Sequence, residues 1–375
     1  MITRFLQQNI ENKLFMGKII LLIGARQVGK STLLRSIAQN RKEETLWLNA
    51  DEGDIRNALN NATTSSELFQ LFGTAKLIII DEAQQIEQIG LKLKLIIDNR
   101  PDLQIIATGS SAFELLQKSN EPLTGRKIEF KLYPISAAEM INHSSWLEEN
   151  RLLETRLVYG NYPEIINNPG QEKTILNELV NSYLFKDLFR YGQIKKADTL
   201  ERLLQALAFQ IGNEVSYNEL AQTVGNIDPA TVEKYVDLLQ KAFILFKLPA
   251  LNRNLRNELK KGKKIFFYDN GVRNTIISNF NSPNLRNDKG ALWENYMISE
   301  RIKRNEYCNQ ISNTYFWRTF DQTEIDYIEE YGGKMNAFEF KWQIKKQKMP
   351  SLFMENYLVE QAQFIDTDNY YEFIK

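Results

Sequence analysis

At 375 residues the chain is long enough for two or three domains and an ample core. Its 47 Lys and Arg balance 47 Asp and Glu, so any surface for a polyanion has to be local. The single cysteine, Cys308, excludes an intrachain disulfide and a multi-cysteine zinc site, and the single histidine, His143, lies in a polar stretch that argues against Ser-His-Asp and His-metal chemistry.

Residues 1–17 read as a short helix leading into an apolar run, Ile19 to Ile23. The start has no apolar h-region, and no apolar run approaches membrane-spanning length. With one cysteine, this reads as a cytoplasmic protein without a membrane partner. The run ends in Gly24-Ala25-Arg26-Gln27-Val28-Gly29-Lys30-Ser31-Thr32, and Ser31 to Gln39 is helical in pattern. A G-x-x-x-x-G-K-[ST] loop between a buried strand and a helix is a phosphate-binding arrangement. Glycines let backbone N–H groups turn inward, and the helix dipole places positive charge beneath the anion. Lys30 adds a full charge near the β- and γ-phosphates, and the Ser31 hydroxyl suits Mg²⁺. A nucleotide, ATP or ADP, is the expected ligand.

Thr45 to Asn49 reads as a second strand. Leu77 to Ile80 is apolar throughout, as a strand buried on both faces should be, and ends in Asp81-Glu82. Leu103 to Ala107 is another such strand, ending in Thr108-Gly109-Ser110-Ser111; Lys127 to Leu132 alternates and stops before Pro134. Strands alternating with helical stretches predict a doubly wound parallel α/β sheet, with ligands at the carboxyl ends of its strands. Lys30, Asp81, Glu82, Thr108 and Ser110 would meet there. Asp81 would complete the Mg²⁺ shell and Glu82 would polarise the attacking water. Thr108 or Ser110 would sense the γ-phosphate, or serve only as helix caps. Arg126, just before the last strand, would stabilise transferred-phosphate charge in its own chain or a neighbour's, or simply face solvent. Tyr162 and Pro163, in the turn Gly160-Asn161-Tyr162-Pro163-Glu164, would pack on an adenine ring, or do no more than break a helix.

Glu172 to Gly192 is helical in pattern. Leu200 to Ile211, a stretch opened by Ser216 with Glu219 as a capping box, and a stretch opened by Pro229 give three further helices. Phe243 to Leu248 and Lys264 to Tyr268 then read as a hairpin, and this order is that of a winged helix-turn-helix. Segment 241–264 carries eight Lys and Arg against one acid, Glu258. A wing that tracks DNA phosphates, a solvated linker and a protein-binding lid all fit that composition.

Glu324 to Ile328 and Ala337 to Trp342 alternate around Tyr331-Gly332-Gly333-Lys334, a strong turn signal. A hairpin centred on Gly332-Gly333 sets Asp326 opposite Glu339 and Glu324 opposite Lys341, with Ile325, Tyr327, Phe338, Phe340 and Trp342 on the other face. Glu294, in a helix that begins near Gly290, would join the carboxylates. Glu294, Asp326, Glu339 and Lys341 together resemble the core of the PD-(D/E)xK nucleases, which would hold a divalent metal and an activated water. A solvated face with cross-strand ion pairs, Glu324–Lys341 among them, is the plainer alternative.

Taken together, the order of parts resembles a large family of prokaryotic AAA-type ATPases. The resemblance rests on Gly24 to Thr32, Asp81-Glu82-Ala83-Gln84 and Thr108-Gly109-Ser110-Ser111. It extends through Gly160 to Glu164, Tyr268-Asp269-Asn270-Gly271, Leu292-Trp293-Glu294-Asn295 and Glu324-Ile325-Asp326, nearly the whole chain. It implies an AAA-type core over 1–150, a helical lid over 151–195, a winged helix over 196–270 and a restriction-endonuclease-like α/β domain over 271–375. The expected activity is slow ATP hydrolysis that repositions the later parts, on or near DNA, with a homo-oligomer or another protein as further partner. Its rival is a nucleotide-gated switch with negligible turnover and an inactive nuclease-like fold.

Overall fold

The computed structural model describes residues 2–39, 41, 44–109, 123–184, 197–252, 262–319, 322–343 and 348–375. They divide into two compact units: Met1–Pro134 with Lys241–Phe243, and Ile135–Gln240 with Ile244–Lys375. The expected core of 1–150 therefore ends earlier. Helix Ala137–His143 belongs to the second unit, where the Ala137 N–H donates to Glu300 at 2.6 Å.

In the first unit, β1 (Ile19–Ile23), β2 (Thr45–Asn49), β3 (Leu77–Asp81), β4 (Gln104–Gly109) and β5 (Lys127–Lys131) form one sheet in the order β2-β3-β4-β1-β5. Every pairing is parallel. β1, β3 and β4 are buried along their full length, which is why they read as unbroken apolar runs, whereas edge strand β2 is only half-buried. Helices Lys30–Gln39 and Ile89–Asn99 turn apolar faces inward through Leu33, Leu34, Ile37, Leu93 and Ile96. Between β1, the first strand, and its neighbours the chain order reverses, and the phosphate loop leaves β1 at that crevice.

The second unit begins with short helices, Ala137–His143, Trp146–Arg151, Leu153–Tyr159, Pro163–Asn167 and Glu172–Glu178. Of the helical stretch expected to Gly192, residues beyond 184 lie outside the described ones. Helices Ala197–Phe209, Tyr217–Thr223 and Pro229–Lys241 follow, then β6 (Leu245–Pro249) pairs antiparallel with β7 (Lys263–Phe267). Ser216 caps the second of these helices by accepting from the Glu219 N–H.

The 19-residue helix Lys289–Tyr307 lies against a mixed sheet of β8 (Asn313–Arg318), β9 (Glu324–Tyr331), β10 (Lys334–Phe340) and β11 (Val359–Ile365), ordered β11-β10-β9-β8. β10 and β11 run parallel and the other pairs antiparallel. The hairpin turns at Gly332-Gly333, both at positive φ, and pairs Lys334 with Tyr331 and Phe338 with Tyr327. Continued by one step, that register sets Glu339 opposite Asp326, as the alternation predicts. One face is aromatic: Tyr327, Phe338 and Phe340 meet Phe373, with the Arg301 guanidinium over Phe338 and Phe373. The opposite face is not a solvated one. Ile328, Met335 and Ala337 are buried with Trp317 and Phe353, and Ile325 joins this cluster where the β8–β9 register shifts.

Gly160 shows how tightly the second unit is closed. It sits at φ +72°, and a Cβ there would lie 2.0 Å from Asp269 Oδ1. Gly160→Ala is expected to cost about 2–4 kcal/mol in urea unfolding, from the strained backbone and the displaced carboxylate together. A cost below about 0.5 kcal/mol would contradict this packing.

Candidate functional site

The phosphate loop is fixed from both ends. Gly24 passes so close to β5's continuation that a Cβ would sit 2.1 Å from Leu132 O, so only glycine fits. Gln27 and Gly29 take positive φ, which turns successive backbone groups to one side. Arg4 donates to Val28 O at 2.8 Å and to Tyr133 O at 2.7 Å, a brace that no motif announces. Lys30, nearly buried at the helix start, donates to Gly24 O at 3.0 Å and Ala25 O at 2.9 Å, so its ammonium is held within the loop. Arg26 and Thr32 are exposed and Val28 is buried.

Asp81 ends β3 beside this loop and accepts two hydroxyl hydrogen bonds, from Ser31 at 2.7 Å and from Thr108 at 2.5 Å. Thr108 in turn accepts from the Glu82 N–H at 3.0 Å. Glu82 adopts the left-handed conformation, φ 53° and ψ 42°, and its carboxylate accepts from the buried Gln84 side-chain amide. Lys30, Ser31, Asp81, Glu82 and Thr108 are thus brought together at one end of the sheet. Thr108 is fully buried and engaged with Asp81, which makes it a positioning residue here. Ser110 and Ser111 lie outside the described residues.

Arg126 is not brought to the phosphate loop of its own chain. It precedes β5, and its carbonyl accepts from the Ile19 N–H at the start of β1, whereas the loop leaves from Ile23. Four residues of strand separate the two ends, about 13 Å. Its guanidinium pairs with Asp98 at 2.6 Å, half-exposed.

Pro163 opens helix Pro163–Asn167 as its first-turn residue. The turn before it is clamped within the second unit: the Asn161 N–H donates to Asp269 Oδ2 at 2.7 Å, and Asn161 O accepts from the Ile135 N–H. Asp269 also caps helix Asn270–Ile276 through the Val272 N–H, and burial pushes its carboxyl up despite Lys303 and three backbone donors. Asn295 bonds both backbone groups of Phe267 and the Asn270 side chain. The Gly-Asn-Tyr-Pro, Tyr-Asp-Asn-Gly and Trp-Glu-Asn segments are therefore one interlocked joint.

In the terminal part, Lys341 lies 2.9 Å from Glu339 Oε2 and 4.0 Å from Asp326 Oδ2. Asp326 Oδ2 also accepts the Phe340 N–H at 2.8 Å. Glu324 does not take Lys341 as its partner; it pairs with Arg318 at 3.6 Å and Lys264 at 3.9 Å. Among the described residues, no group of three His, Cys, Asp or Glu side chains is arranged to hold a metal ion. Lys264, for which composition left a DNA-tracking wing, a solvated linker and a protein-binding lid open, is 2% exposed and binds Glu294 at 3.1 Å. Other basic residues of that segment also have internal work. Lys247 pairs with Asp237 at 2.6 Å and Lys263 lies over the Tyr217 ring. Arg253, Arg256, Lys260 and Lys261 lie outside the described residues.

Residues 16–141 match the family described as AAA domain, with the phosphate loop and the Asp81-Glu82 strand end inside the match. Residues 150–283 and 289–369 match two families described as domains of unknown function, DUF8612 and DUF4143. An uncharacterised protein of Mycobacterium tuberculosis is 26% identical over 352 residues, spanning 92% of this chain and 74% of the relative. One of Haemophilus influenzae is 27% identical over 356 residues, spanning 86% and 82%. Among solved structures, AMPPCP-bound DnaA from Aquifex aeolicus is 15% identical with a TM-score of 0.31, covering 63% of this chain and 86% of that one. Cdc6p from Pyrobaculum aerophilum is 12% identical with a TM-score of 0.29, covering 73% and 92%. No helix among the described residues is long and apolar enough to cross a membrane.

Glu294 carries a pH-dependent consequence. Burial first, then the nearby Asp326, pushes its carboxyl from the ordinary 4.5 up to about 8, against the pull of Lys264. Between those values the folded chain binds more protons than the unfolded one, so stability falls as pH rises through that window. Asp326, Glu339, Asp269 and Glu300 are raised too and act with the same sign. Urea unfolding from pH 5 to 8 should show the wild type losing stability, with Glu294→Gln losing less by on the order of 1–2 kcal/mol. Equal slopes would contradict the assignment.

Proposed function

We propose that this protein binds and hydrolyses ATP with Mg²⁺ at the loop of Gly24 to Thr32, and that its nucleotide state repositions the second unit. The observation that supports this most directly is the convergence of Lys30, Ser31, Asp81, Glu82 and Thr108 at one strand end. The residues fit the ligand. Inward-turned loop amides and Lys30 suit a polyphosphate, and a serine hydroxyl beside a carboxylate is the oxygen pair a hard divalent cation takes.

Mg²⁺, when bound, neutralises phosphate charge and is held by Ser31 and Asp81. Lys30 would exchange its two carbonyl acceptors for phosphate oxygens, an exchange between acceptors rather than a desolvation from water. Thr108 holds Asp81 from the far side, so the carboxylate does not have to be ordered when the cation arrives. Glu82 accepts a proton from, or orients, the attacking water. Its backbone is left-handed, and the Gln84 amide fixes the direction of its carboxylate.

The Gln84–Glu82 bond favours a second reading as well. That Glu82 oxygen is already occupied by an amide donor and takes a water only when the bond opens, as a slow ATPase or a nucleotide-gated switch with negligible turnover requires. On either reading, the three helices and the β6–β7 hairpin are taken as a winged helix and the 289–365 region as a nuclease-like fold. Their support is element order and the register that sets Asp326 beside Glu339. Action on or near DNA, a cytoplasmic place of work, and a second copy or another protein as partner belong to the same reading. Arg126, half-exposed at the far end of the sheet, would serve only a neighbouring copy.

Phosphate release from ATP, measured with Mg²⁺ present, is expected to fall at least about 100-fold in Glu82→Gln while nucleotide binding persists. Wild-type turnover that Glu82→Gln leaves intact would overturn the role of Glu82. Tight binding with no turnover in the wild type would establish the switch.

A further inference from the structure

The carboxylates of the terminal part do not meet as an open acidic pocket. Lys264 reaches them from β7, whose neighbours are β6 and, through an isolated bridge, Glu214. Its Nζ lies 3.1 Å from Glu294 Oε1 and 3.9 Å from Glu324 Oε2, with the Phe316 ring centroid 5.4 Å away. Lys341, from the residue after β10, covers the other side at Glu339 and Asp326. Four carboxylates from one helix and two strands therefore share two ammonium groups.

A lysine this deeply buried is stable only where partners replace its water. Burial opposes its charge, but Glu294, Asp326 and Glu324 together hold its pKa above the ordinary lysine value, so the ammonium stays charged. Burial and neighbouring carboxylates push Glu294 up to about 8 and Glu339 up to about 7, so near neutrality the cluster does not carry four full negative charges. Lys264 and Lys341, with the Arg318 guanidinium 3.6 Å from Glu324, already come close to balancing it. One acceptor is still unused. Glu339 Oε1 is buried without a hydrogen-bond partner, on a side chain only 7% exposed.

We propose that the Lys264 ammonium is the resident cation of the Glu294, Glu324, Asp326 and Glu339 cluster, and that it keeps a divalent ion from being drawn to the unused oxygen of Glu339 and the Asp326 carboxylate beside it. The exclusion is electrostatic and mechanical. A second cation would sit within a few ångströms of a charge that cannot leave unless β7 leaves with it. The β6–β7 hairpin is thereby an internal cover for a masked divalent-cation site. The inference does not depend on nucleotide binding, and its test contains no nucleotide.

The test titrates Mn²⁺ into the full chain and reads free Mn²⁺ by electron paramagnetic resonance. The wild type is expected to show no Mn²⁺ site that Asp326→Asn removes. Lys264→Met is expected to gain one site, at least about tenfold tighter than any in the wild type, lost again when Asp326→Asn is added. Folded Lys264→Met that gains no site overturns the proposal, as does an Asp326-dependent wild-type site as tight as the variant's. Should Lys264→Met fail to fold, lysine acetylation read by peptide mass spectrometry decides the matter on the wild type. Lys264 should stay protected relative to exposed Lys334, with and without millimolar Mn²⁺, and lose protection in Glu294→Gln. Modification of Lys264 as fast as Lys334, or deprotection by Mn²⁺, contradicts the proposal.

Discussion

A single carboxylate organises the first unit. Asp81 accepts from Ser31 on the helix that follows the phosphate loop and from Thr108 on β4, and Thr108 accepts from the backbone of Glu82. Two strand ends and a helix start are tied by these bonds, of 2.5–3.0 Å, and the Thr108–Asp81 bond at their centre is buried. Hydrogen bonds to a charged acceptor are the strong ones, and shielding keeps them so. The loop itself is kept in shape by two groups outside it, Arg4 on its carbonyl and Leu132 against Gly24, and by its own Lys30 folded onto its first two peptides. The loop and the acidic strand end are thus built as one rigid arrangement, which is what stabilising a transferred phosphoryl group demands of a protein.

The second unit is held by a different device. Its interior carries paired charges: Arg156 with Glu149, Arg301 with Glu329, Lys303 with Glu300, and Arg273 with Arg286 through Asp288. Each removes ions from water and regains that cost only in the right geometry, so such pairs select an arrangement more than they add stability. Asp269 and Asn295 do the same with backbone groups. The Lys264–Glu294 contact belongs to this set, and it joins the hairpin to the long helix.

Much of the geometry of the phosphate loop was legible because it is local. Strand, glycine loop and helix follow one another from Ile19 to Gln39, and the acidic pair closes an apolar run, so motif and context coincide. The hairpin register was equally legible, since two glycines at Gly332-Gly333 admit few alternatives. What stayed hidden depends on distance in sequence. Nothing around Arg4 tells that it braces a loop 24 residues away. Nothing in Lys263-Lys264 tells which lysine faces the interior, because period-two alternation shows a side only when the neighbours differ in polarity. Arg126 misled for the opposite reason: its sequence neighbours suggest proximity to the site, but in a parallel sheet the start and end of a strand lie at opposite ends. The face of β9 and β10 opposite the aromatic residues offered a nuclease-like carboxylate cluster or, as the plainer alternative, a solvated face; neither foresaw that Ile328, Met335 and Ala337 make part of it a second core.

The central claim is that the Gly24 to Thr32 loop holds a nucleotide polyphosphate. Isothermal titration of ATP with Mg²⁺ into the wild type and Lys30→Ala tests it most directly. The account predicts one site in the wild type and a loss of at least about tenfold in affinity when the Lys30 charge is removed. Equal binding in both proteins, or none in the folded wild type, would contradict it.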